Sequence, residues 1–319
     1  MISKDLGGVL IYNYDGLNKK LKERNLKKSD LTSVLRISSR TLAKISKGEK
    51  LADSVMSKLC NYFSCSKDDL CRIVSDNPIL QILREEKEHK ISGGLYHELQ
   101  IRLTYNSNHI EGSKLSEDQT RRIFETNTLD AEENLPVNDI IETVNHFRAI
   151  DYCIDRAEDP LSEDIIKHLH YLLKSRTKDE TLSWFKVGEY KLRPNVVGGI
   201  ETTAPKNVRT DIKALLSAYL KKETLTFKDI IDFHYQFERI HPFQDGNGRV
   251  GRLIAFKECL KNNLVPFIIE DQKKYYYYRG LKEYSNEPGF LIDTCYDGQD
   301  SFRALVQLFG IDISSLDKD

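Results

Sequence analysis

The segment HPFQDGNGRVGR, residues 241 to 252, places an imidazole, a carboxylate, two amides and two guanidinium groups within twelve residues. Gly246, Asn247 and Gly248 let successive main-chain N–H groups turn toward one point, because none of them carries a bulky side chain. The helix predicted to follow adds the positive end of its dipole. The segment therefore predicts an anion-binding nest, and a polyphosphate is the occupant that we expect.

The charged side chains around this nest indicate a reaction. Arg249 and Arg252 lie one turn apart on the predicted helix, so each guanidinium can hold a separate phosphate group. Asp245 would repel the phosphates unless a divalent cation bridged them, and a hard carboxylate beside phosphate oxygens suits Mg²⁺. His241 is suited to removing a proton near neutral pH. The set predicts nucleotide transfer to a hydroxyl, and the sequence lacks the Walker A pattern GxxxxGK[ST] of P-loop hydrolases.

Two amphipathic helices are predicted to position this loop. Residues 226 to 240, TFKDIIDFHYQFERI, repeat apolar side chains at helical spacing after a threonine cap. A second helix is predicted over about residues 249 to 262, with Leu253 and Phe256 turned inward. Residues 241 to 248 should therefore form a short loop between two buried helices.

Two segments upstream carry further signals. Residues 95 to 112 are predicted to form a helix ended by Gly112 in the left-handed conformation, with Ser107 and Glu111 on one face of its last turn. Alone, this pair indicates no more than a polar stripe. Residues 188 to 203 are β-prone and turn at two adjacent glycines, which predicts a hairpin whose exposed edge could accept an extended segment of another chain. A plain surface hairpin is the alternative.

The segment HPFQDGNGRVGR resembles the Fic family, whose motif HxFx(D/E)GNGRxxR it matches at every defined position, and the resemblance extends over roughly residues 90 to 310. Fic domains are helical proteins that transfer AMP from ATP to Ser, Thr or Tyr hydroxyls. The resemblance implies that His241 is the general base, that Phe243 anchors the loop in the core and that Asp245 holds Mg²⁺. It also implies that six residues bind ATP: Gly246, Asn247, Gly248, Arg249, Arg252 and, from the run KKYYYYRGL, Tyr277.

The same resemblance gives the upstream segments a role. Many Fic proteins carry an inhibitory helix with the motif (S/T)xxxE(G/N), which Ser107, Glu111 and Gly112 match. The resemblance implies that Glu111 pairs with Arg252 and holds the enzyme inactive from within the same chain. The hairpin at residues 188 to 203 resembles the Fic flap, which aligns the target segment by strand addition.

The N-terminal part of the chain is basic. Residues 1 to 75 hold 15 lysines and arginines against 8 acidic residues, whereas the rest of the chain holds 33 against 41. Two short helices are predicted with a tight turn between them, and Arg40, Lys44 and Lys47 lie along the outward face of the second. This segment resembles the helix-turn-helix family of phage repressors, which implies DNA as a partner. A small bundle that binds protein or dimerises is the alternative.

The sequence thus predicts a mainly α fold in two domains. A small all-α helix-turn-helix domain is expected at residues 1 to 75, and a Fic-type helical bundle with a small β-hairpin flap at 76 to 319. No apolar stretch approaches the roughly 18 residues that span a bilayer, and the N-terminus lacks the features of a signal peptide, so we expect a cytoplasmic protein without a membrane partner. A homodimer is expected, because paired DNA half-sites need two readers.

The predicted function is a self-inhibited protein adenylyltransferase that uses ATP and Mg²⁺ and modifies a Ser, Thr or Tyr hydroxyl of a protein, the chain itself included. Two alternatives stay open. The first is removal of AMP from modified proteins, in which Glu111 would orient the attacking water. The second is a transcription regulator whose Fic part senses ATP, which predicts salt-dependent DNA binding without nucleotide transfer.

Overall fold

The computed structural model describes residues 11–74, 77–129 and 135–316. The chain divides into two compact units, Met1–Asp76 and Asn77–Asp319. In the described ranges α-helices predominate and the strands form only two short antiparallel pairs, so the mainly α fold predicted from the sequence is confirmed. None of the helices in these ranges is both long enough and apolar enough to cross a bilayer.

The N-terminal unit packs four helices around a small apolar core. The helices are α1 (Asp15–Glu23), α2 (Asp30–Leu35), α3 (Ser39–Ser46) and α4 (Asp53–Phe63). Leu17, Leu31 and Leu59 are fully buried between them. Ser38 begins α3, because its side chain accepts a hydrogen bond from the main-chain N–H of Thr41 at 3.2 Å.

The N-terminal unit also contains a strand pair in addition to the expected helices. Strand β1 (Ile11–Asn13) pairs antiparallel with β2 (Arg72–Val74). Each strand has three residues, too few to produce an alternating pattern that a sequence analysis could detect. The pair joins the two ends of the described part of this unit.

The second unit contains the remaining ten helices of the described ranges. In chain order they are α5 (Pro78–His89), α6 (Leu95–Ile110), α7 (Glu117–Thr126), α8 (Val137–Asp155), α9 (Glu163–Lys174), α10 (Pro205–Leu220), α11 (Phe227–Ile240), α12 (Asn247–Lys261), α13 (Lys274–Glu283) and α14 (Gly289–Leu308). Short 3₁₀ turns lie at Lys178–Thr181, Asp271–Lys273 and Ser314–Leu316.

Helix α12 lies in the middle of this unit. Its residues from Arg249 to Leu260 are all buried, and it packs against α6, α8, α9 and α11. A helix that is covered on all sides must satisfy its polar groups internally. Lys257 and Glu258 do so by forming an ion pair of 2.8 Å, both side chains being almost completely buried. The catalytic motif expected at residues 241 to 252 therefore enters the core.

The predicted hairpin is present and shorter than expected. Strand β3 (Val196–Val197) pairs with β4 (Ile200–Glu201). Gly198 and Gly199 have φ angles of +57° and +80°, which a tight turn of this hand requires at both positions. Val196 and Val197 are exposed, as the edge of a free hairpin would be.

Candidate active site

The loop after α11 turns sharply and ends at the N-terminus of α12. His241 has φ of +51° and Gly246 has φ of +80°, and α12 begins at Asn247, two residues earlier than the sequence pattern predicts. Gly246 adopts a conformation that favours glycine, which explains its place in the motif. Gly248 therefore lies in the first turn of the helix, where main-chain N–H groups lack helical partners and attract an anion.

Phe243 and Asn247 fix the shape of this loop. The side-chain amide of Asn247 accepts a hydrogen bond from the Phe243 N–H at 2.8 Å and donates one to the Phe243 carbonyl at 2.9 Å. The Phe243 ring is completely buried and stacks on His170 with the ring centroids 4.0 Å apart. Phe243 thus lies in the core, where the sequence places it. Because the amide of Asn247 is used within the loop, its contact with a phosphate would come from the main-chain N–H.

The buried guanidinium of Arg252 forms an ion pair with the partly exposed Glu111 at the end of α6. The guanidinium donates to Glu111 Oε1 at 2.7 Å, to the Ser107 carbonyl at 2.9 Å and to Ser107 Oγ at 3.0 Å. Its Nη1 lies 3.4 Å from the Tyr277 hydroxyl. Burial alone would lower the pKa of Arg252, but Tyr277 and Glu111 raise it. Gly112, at φ of +98°, lets the chain leave the helix directly after Glu111.

The carboxylate of Glu111 lies against the first turn of α12. A Cβ atom added at Gly248 would stand only 2.2 Å from Glu111 Oε1. The acidic side chain therefore occupies the position that the helix N-terminus and Arg252 offer to an anion. Any phosphate group that approached Arg252 from this side would meet the carboxylate first.

Arg249 forms a second, separate ion pair. Its Nη1 donates to Glu142 Oε2 at 2.5 Å, and its side chain is 4% exposed. Glu142 also accepts from Lys174 Nζ at 2.5 Å. Lys174 in turn donates to Asp245 Oδ2 at 2.6 Å and lies 2.7 Å from Asp179 Oδ2. The sequence predicts that these two arginines bind phosphate groups of one chain. In the structure each of them is instead paired with a different acid.

Three members of this cluster were not found from the sequence: Glu142, Lys174 and Asp179. The only sequence signal was the position of Lys174, four residues after the buried His170 on α9, where an apolar side chain is expected. Lys174 and Arg249 lower the pKa of Asp245 to about 2, although burial opposes this shift.

Asp245 alone is better suited to bind Mg²⁺ than the surrounding cluster of carboxylates is. Oxygen atoms of Glu142, Asp179 and Asp245 lie within 4.8 Å of one another, a grouping that could hold a metal ion. The ammonium of Lys174 contacts all three carboxylates, so a cation among them would be repelled. The Asp245 side chain is 54% exposed and uses Oδ2 toward Lys174, so a solvent-exposed part of its carboxylate could bind Mg²⁺. One carboxylate together with substrate phosphates is a common way to hold this ion.

His241 and Tyr277 complete the site. Burial and the nearby Lys191 lower the pKa of His241 to about 4, so its imidazole is neutral near pH 7, as a general base requires. Of the four adjacent tyrosines, Tyr277 is buried and the other three are exposed. Its hydroxyl lies 2.8 Å from His234 Nε2 as well as near Arg252. Tyr277 is therefore the tyrosine of this run that lies beside Arg252, and its role in ATP binding stays a prediction.

The basic residues predicted to contact DNA lie on α3 or directly after it. Arg40 and Lys47 are exposed, and the Lys44 side chain is 42% exposed, with its Nζ 3.8 Å from a Glu49 carboxylate oxygen. Lys47 follows directly after the last helical residue. A short turn that buries Ile37 separates α3 from α2. This arrangement is the one expected of a helix-turn-helix reader of the major groove.

These features define a helical domain with a candidate anion site at a buried helix N-terminus, preceded by a helix-turn-helix. The family comparison agrees with both parts. Residues 160–258 match the model of the Fic/DOC family, and residues 16–76 match that of the Cro/C1-type HTH DNA-binding domain. The chain therefore contains a Fic/DOC-family domain and a Cro/C1-type helix-turn-helix domain.

Similar proteins extend the comparison. The chain is 28% identical over 190 residues to a protein adenylyltransferase Fic of Nematostella vectensis, an alignment that covers 56% of this chain and 42% of that one. A protein of the same name from Aedes aegypti is 26% identical over 189 residues, with 58% and 37% covered. This chain thus spans less than half the length of these relatives.

Two solved structures are similar in fold. A Fic domain containing signaling protein from Bacteroides thetaiotaomicron aligns with a TM-score of 0.55 and 25% identity, covering 75% of this chain and 94% of the other. Fic-1 from C. elegans aligns with a TM-score of 0.56 over 92% of this chain and 83% of the other. At 18% identity the second likeness concerns the fold alone.

Proposed function

We propose that this chain is a protein adenylyltransferase that transfers AMP from ATP to a Ser, Thr or Tyr hydroxyl of a protein and that Glu111 holds it inactive. The observation that carries the proposal is the 2.7 Å ion pair between Glu111 and Arg252 beside the first turn of α12. It places an internal anion where the anion of a substrate would bind. The names of the similar proteins support the reaction class.

The residues of the loop divide the chemistry among them. The N–H groups at the start of α12 would hold the phosphates, and Asp245 would hold Mg²⁺, which neutralises phosphate charge when bound. His241 would take the proton of the target hydroxyl at Nε2. The hydroxyl oxygen then forms a bond to the α-phosphorus of ATP, the bond to the bridging oxygen breaks, and pyrophosphate leaves. Positioning and charge stabilisation supply most of the rate.

Glu111 would inhibit the reaction because its carboxylate and a phosphate of ATP would require the same position beside Arg252. Arg252 is 4% exposed on its side chain and already donates to Glu111 and Ser107. A terminal phosphate could bind this guanidinium only after Glu111 moves away, because two anions beside one buried cation repel each other. While Glu111 stays in place, the triphosphate would bind in a shifted position, with its α-phosphorus out of line with the target hydroxyl.

The test compares four proteins incubated with ATP labelled at the α-phosphate and, separately, at the γ-phosphate. The unmodified chain should transfer little α-label, and Glu111→Gly should transfer at least tenfold more. Adding His241→Ala to Glu111→Gly should abolish the transfer. Glu223→Gly serves as the matched control, since Glu223 is an exposed loop residue between α10 and α11. Transfer of γ-label would identify a different reaction and refute the proposal.

We propose DNA binding through α3 as the role of the N-terminal domain. The support is the exposure of Arg40 and Lys47 on a unit with excess positive charge, together with the matched family model. A mobility-shift titration of the chain against genomic DNA fragments at two salt concentrations tests it. Binding that is insensitive to salt would contradict it.

A further inference from the structure

One turn before His241, helix α11 carries a glutamate that the proposed reaction does not use. Glu238 Oε2 lies 4.0 Å from His241 Nδ1, and the two side chains are only 13% and 15% exposed. Neither His241 Nδ1 nor Glu238 Oε1 forms a hydrogen bond of normal geometry within the described part of the chain, although the main-chain carbonyl of Glu238 lies close enough to the imidazole to favour its protonated form. Buried polar atoms without partners are rare because each has given up its hydrogen bonds to water without replacement. Two of them side by side at a candidate catalytic base require an explanation.

The neighbouring helix leaves room for this carboxyl group. A Cβ atom at Gly251 would stand 2.8 Å from Glu238 Oε1 and 2.8 Å from His234 Nδ1, so both atoms face the same space above α12. His234 Nδ1 likewise lacks a partner among the described residues, whereas its Nε2 lies 2.8 Å from the Tyr277 hydroxyl. A line of polar side chains thus runs from the phosphate site to the base: Arg252, Tyr277, His234, Glu238 and His241.

We propose that Glu238 is the positioning residue of His241: its carboxylate accepts the Nδ1–H of the imidazole. This contact would leave the lone pair on Nε2 and direct that atom toward the target hydroxyl. When Nε2 takes the hydroxyl proton, the carboxylate stabilises the imidazolium without itself changing protonation. The 4.0 Å separation closes to hydrogen-bond distance by a side-chain rotation, as such contacts often tighten only in the working complex. The inference rests on the proposed function of His241.

The charges around Glu238 connect this contact to inhibition. Burial raises the pKa of Glu238 to about 8, Glu111 raises it further and Arg252 opposes the shift. The other titratable groups near it are His234, His241, Tyr277 and Tyr278. In the inhibited state the carboxyl group is therefore largely protonated near pH 7. Removing Glu111 removes a like charge, so the pKa of Glu238 falls and the carboxylate that can accept from the imidazole forms at lower pH.

The first measurement needs no change at the proposed residue. We expect ¹⁵N NMR of the histidine-labelled Glu111→Gly protein, with the His241 signals assigned against His241→Ala, to show a protonated Nδ1 and an unprotonated Nε2. A protonated Nε2 would overturn the inference whether or not the protein transfers AMP. This readout separates a failure of the inference from a failure of the proposed function.

The second measurement uses rates in the Glu111→Gly background. Glu238→Gln should lower kcat about 10- to 100-fold, a part of the 10²–10⁴ that a general base contributes, and change the KM for ATP less than twofold. The rise of kcat with pH that accompanies ionisation of Glu238 should disappear, and Glu238→Asp should restore part of the rate. Glu223→Gln is the control with the same chemical change at an exposed loop position. An unaltered kcat, or a loss with the same pH profile and the same His241 tautomer, would refute the positioning role.

Discussion

The ammonium of Lys174 lies at the centre of three carboxylates, and its removal should be the most destabilising single change at the site. The side chain is 1% exposed and contacts Glu142, Asp179 and Asp245 at 2.5 to 2.7 Å. Lys174→Met preserves the length of the apolar stem but removes the charge. The acids would remain with Arg249 as their one nearby guanidinium.

The size of the stability loss depends on which partners each carboxylate keeps in the variant. Breaking a buried ion pair by removing one partner costs about 3–5 kcal/mol. Asp245 is 54% exposed and can be solvated, and Glu142 keeps its contact with Arg249, so both reduce the loss. Asp179, at 17% exposure, loses its ammonium partner. We therefore expect the free energy of unfolding of the Asn77–Asp319 unit to fall by about 3 kcal/mol, the lower end of that range.

Urea unfolding followed by tryptophan fluorescence measures this change. The chain has a single tryptophan, Trp184, which belongs to the same unit, so the signal reports on that unit. The control is Lys167→Met, two turns earlier on α9. The Lys167 ammonium lies 2.6 Å from Glu189, whose side chain is 61% exposed, and such a pair contributes about 1 kcal/mol or less. Equal losses in the two variants would refute the argument from burial.

The pH dependence of the stability difference between the unmodified chain and Lys174→Met provides a second check. The pKa of Asp245 is about 2 in the folded protein, below the value of about 3.9 in an unfolded chain. A lowered carboxyl pKa stabilises the fold above the unfolded value, and this contribution disappears as the pH falls through the folded value. Without Lys174 the pKa of Asp245 should be lowered less. The stability difference between the unmodified chain and Lys174→Met should therefore shrink between about pH 4 and pH 2.

Three further predictions concern the anion site and the N-terminal domain. Gly248→Ala would place a Cβ 2.2 Å from Glu111 Oε1, so hydrogen exchange at the end of α6 should accelerate at least tenfold as that carboxylate is displaced. Tyr277→Phe removes a hydroxyl that a buried histidine contacts and should lower the free energy of unfolding by about 1–3 kcal/mol, measured by urea titration. Arg40→Ala and Lys44→Ala should weaken DNA binding and each reduce the slope of log affinity against log salt by about one; an unchanged slope would exclude phosphate contacts.

Local sequence patterns were sufficient for the elements that form the loop. The apolar spacing in residues 226 to 240 and the glycines at 246 and 248 predict a helix, a turn and a second helix, which the structure contains as α11 and α12. These signals are local because caps, turns and helical faces depend on neighbours within a few positions. The hairpin at Gly198 and Gly199 was predictable for the same reason.

The buried polar cluster could not be predicted in this way. Lys174 lies 32 residues from Glu142 and 71 from Asp245, and each belongs to a different helix or loop. Apolar periodicity shows which face of a helix is buried but not which charged side chain finds a partner there. The strand pair of the N-terminal unit escapes prediction similarly, because Ile11 and Val74 pair across the whole described unit.

The two arginines of the motif are held by acids of different accessibility, and this difference determines which contact can act as a switch. Glu111 is 29% exposed, follows the last residue of α6 and makes its 2.7 Å ion pair with Arg252. Glu142 is 13% exposed within α8 and contacts both Lys174 and Arg249, so its withdrawal would take one carboxylate from Lys174 and leave Arg249 with only the 3.6 Å contact to Asp245. The Arg249 contact therefore maintains the fold of the site. The Arg252 contact can open at lower cost, which fits the inhibitory role proposed for Glu111 at the end of α6.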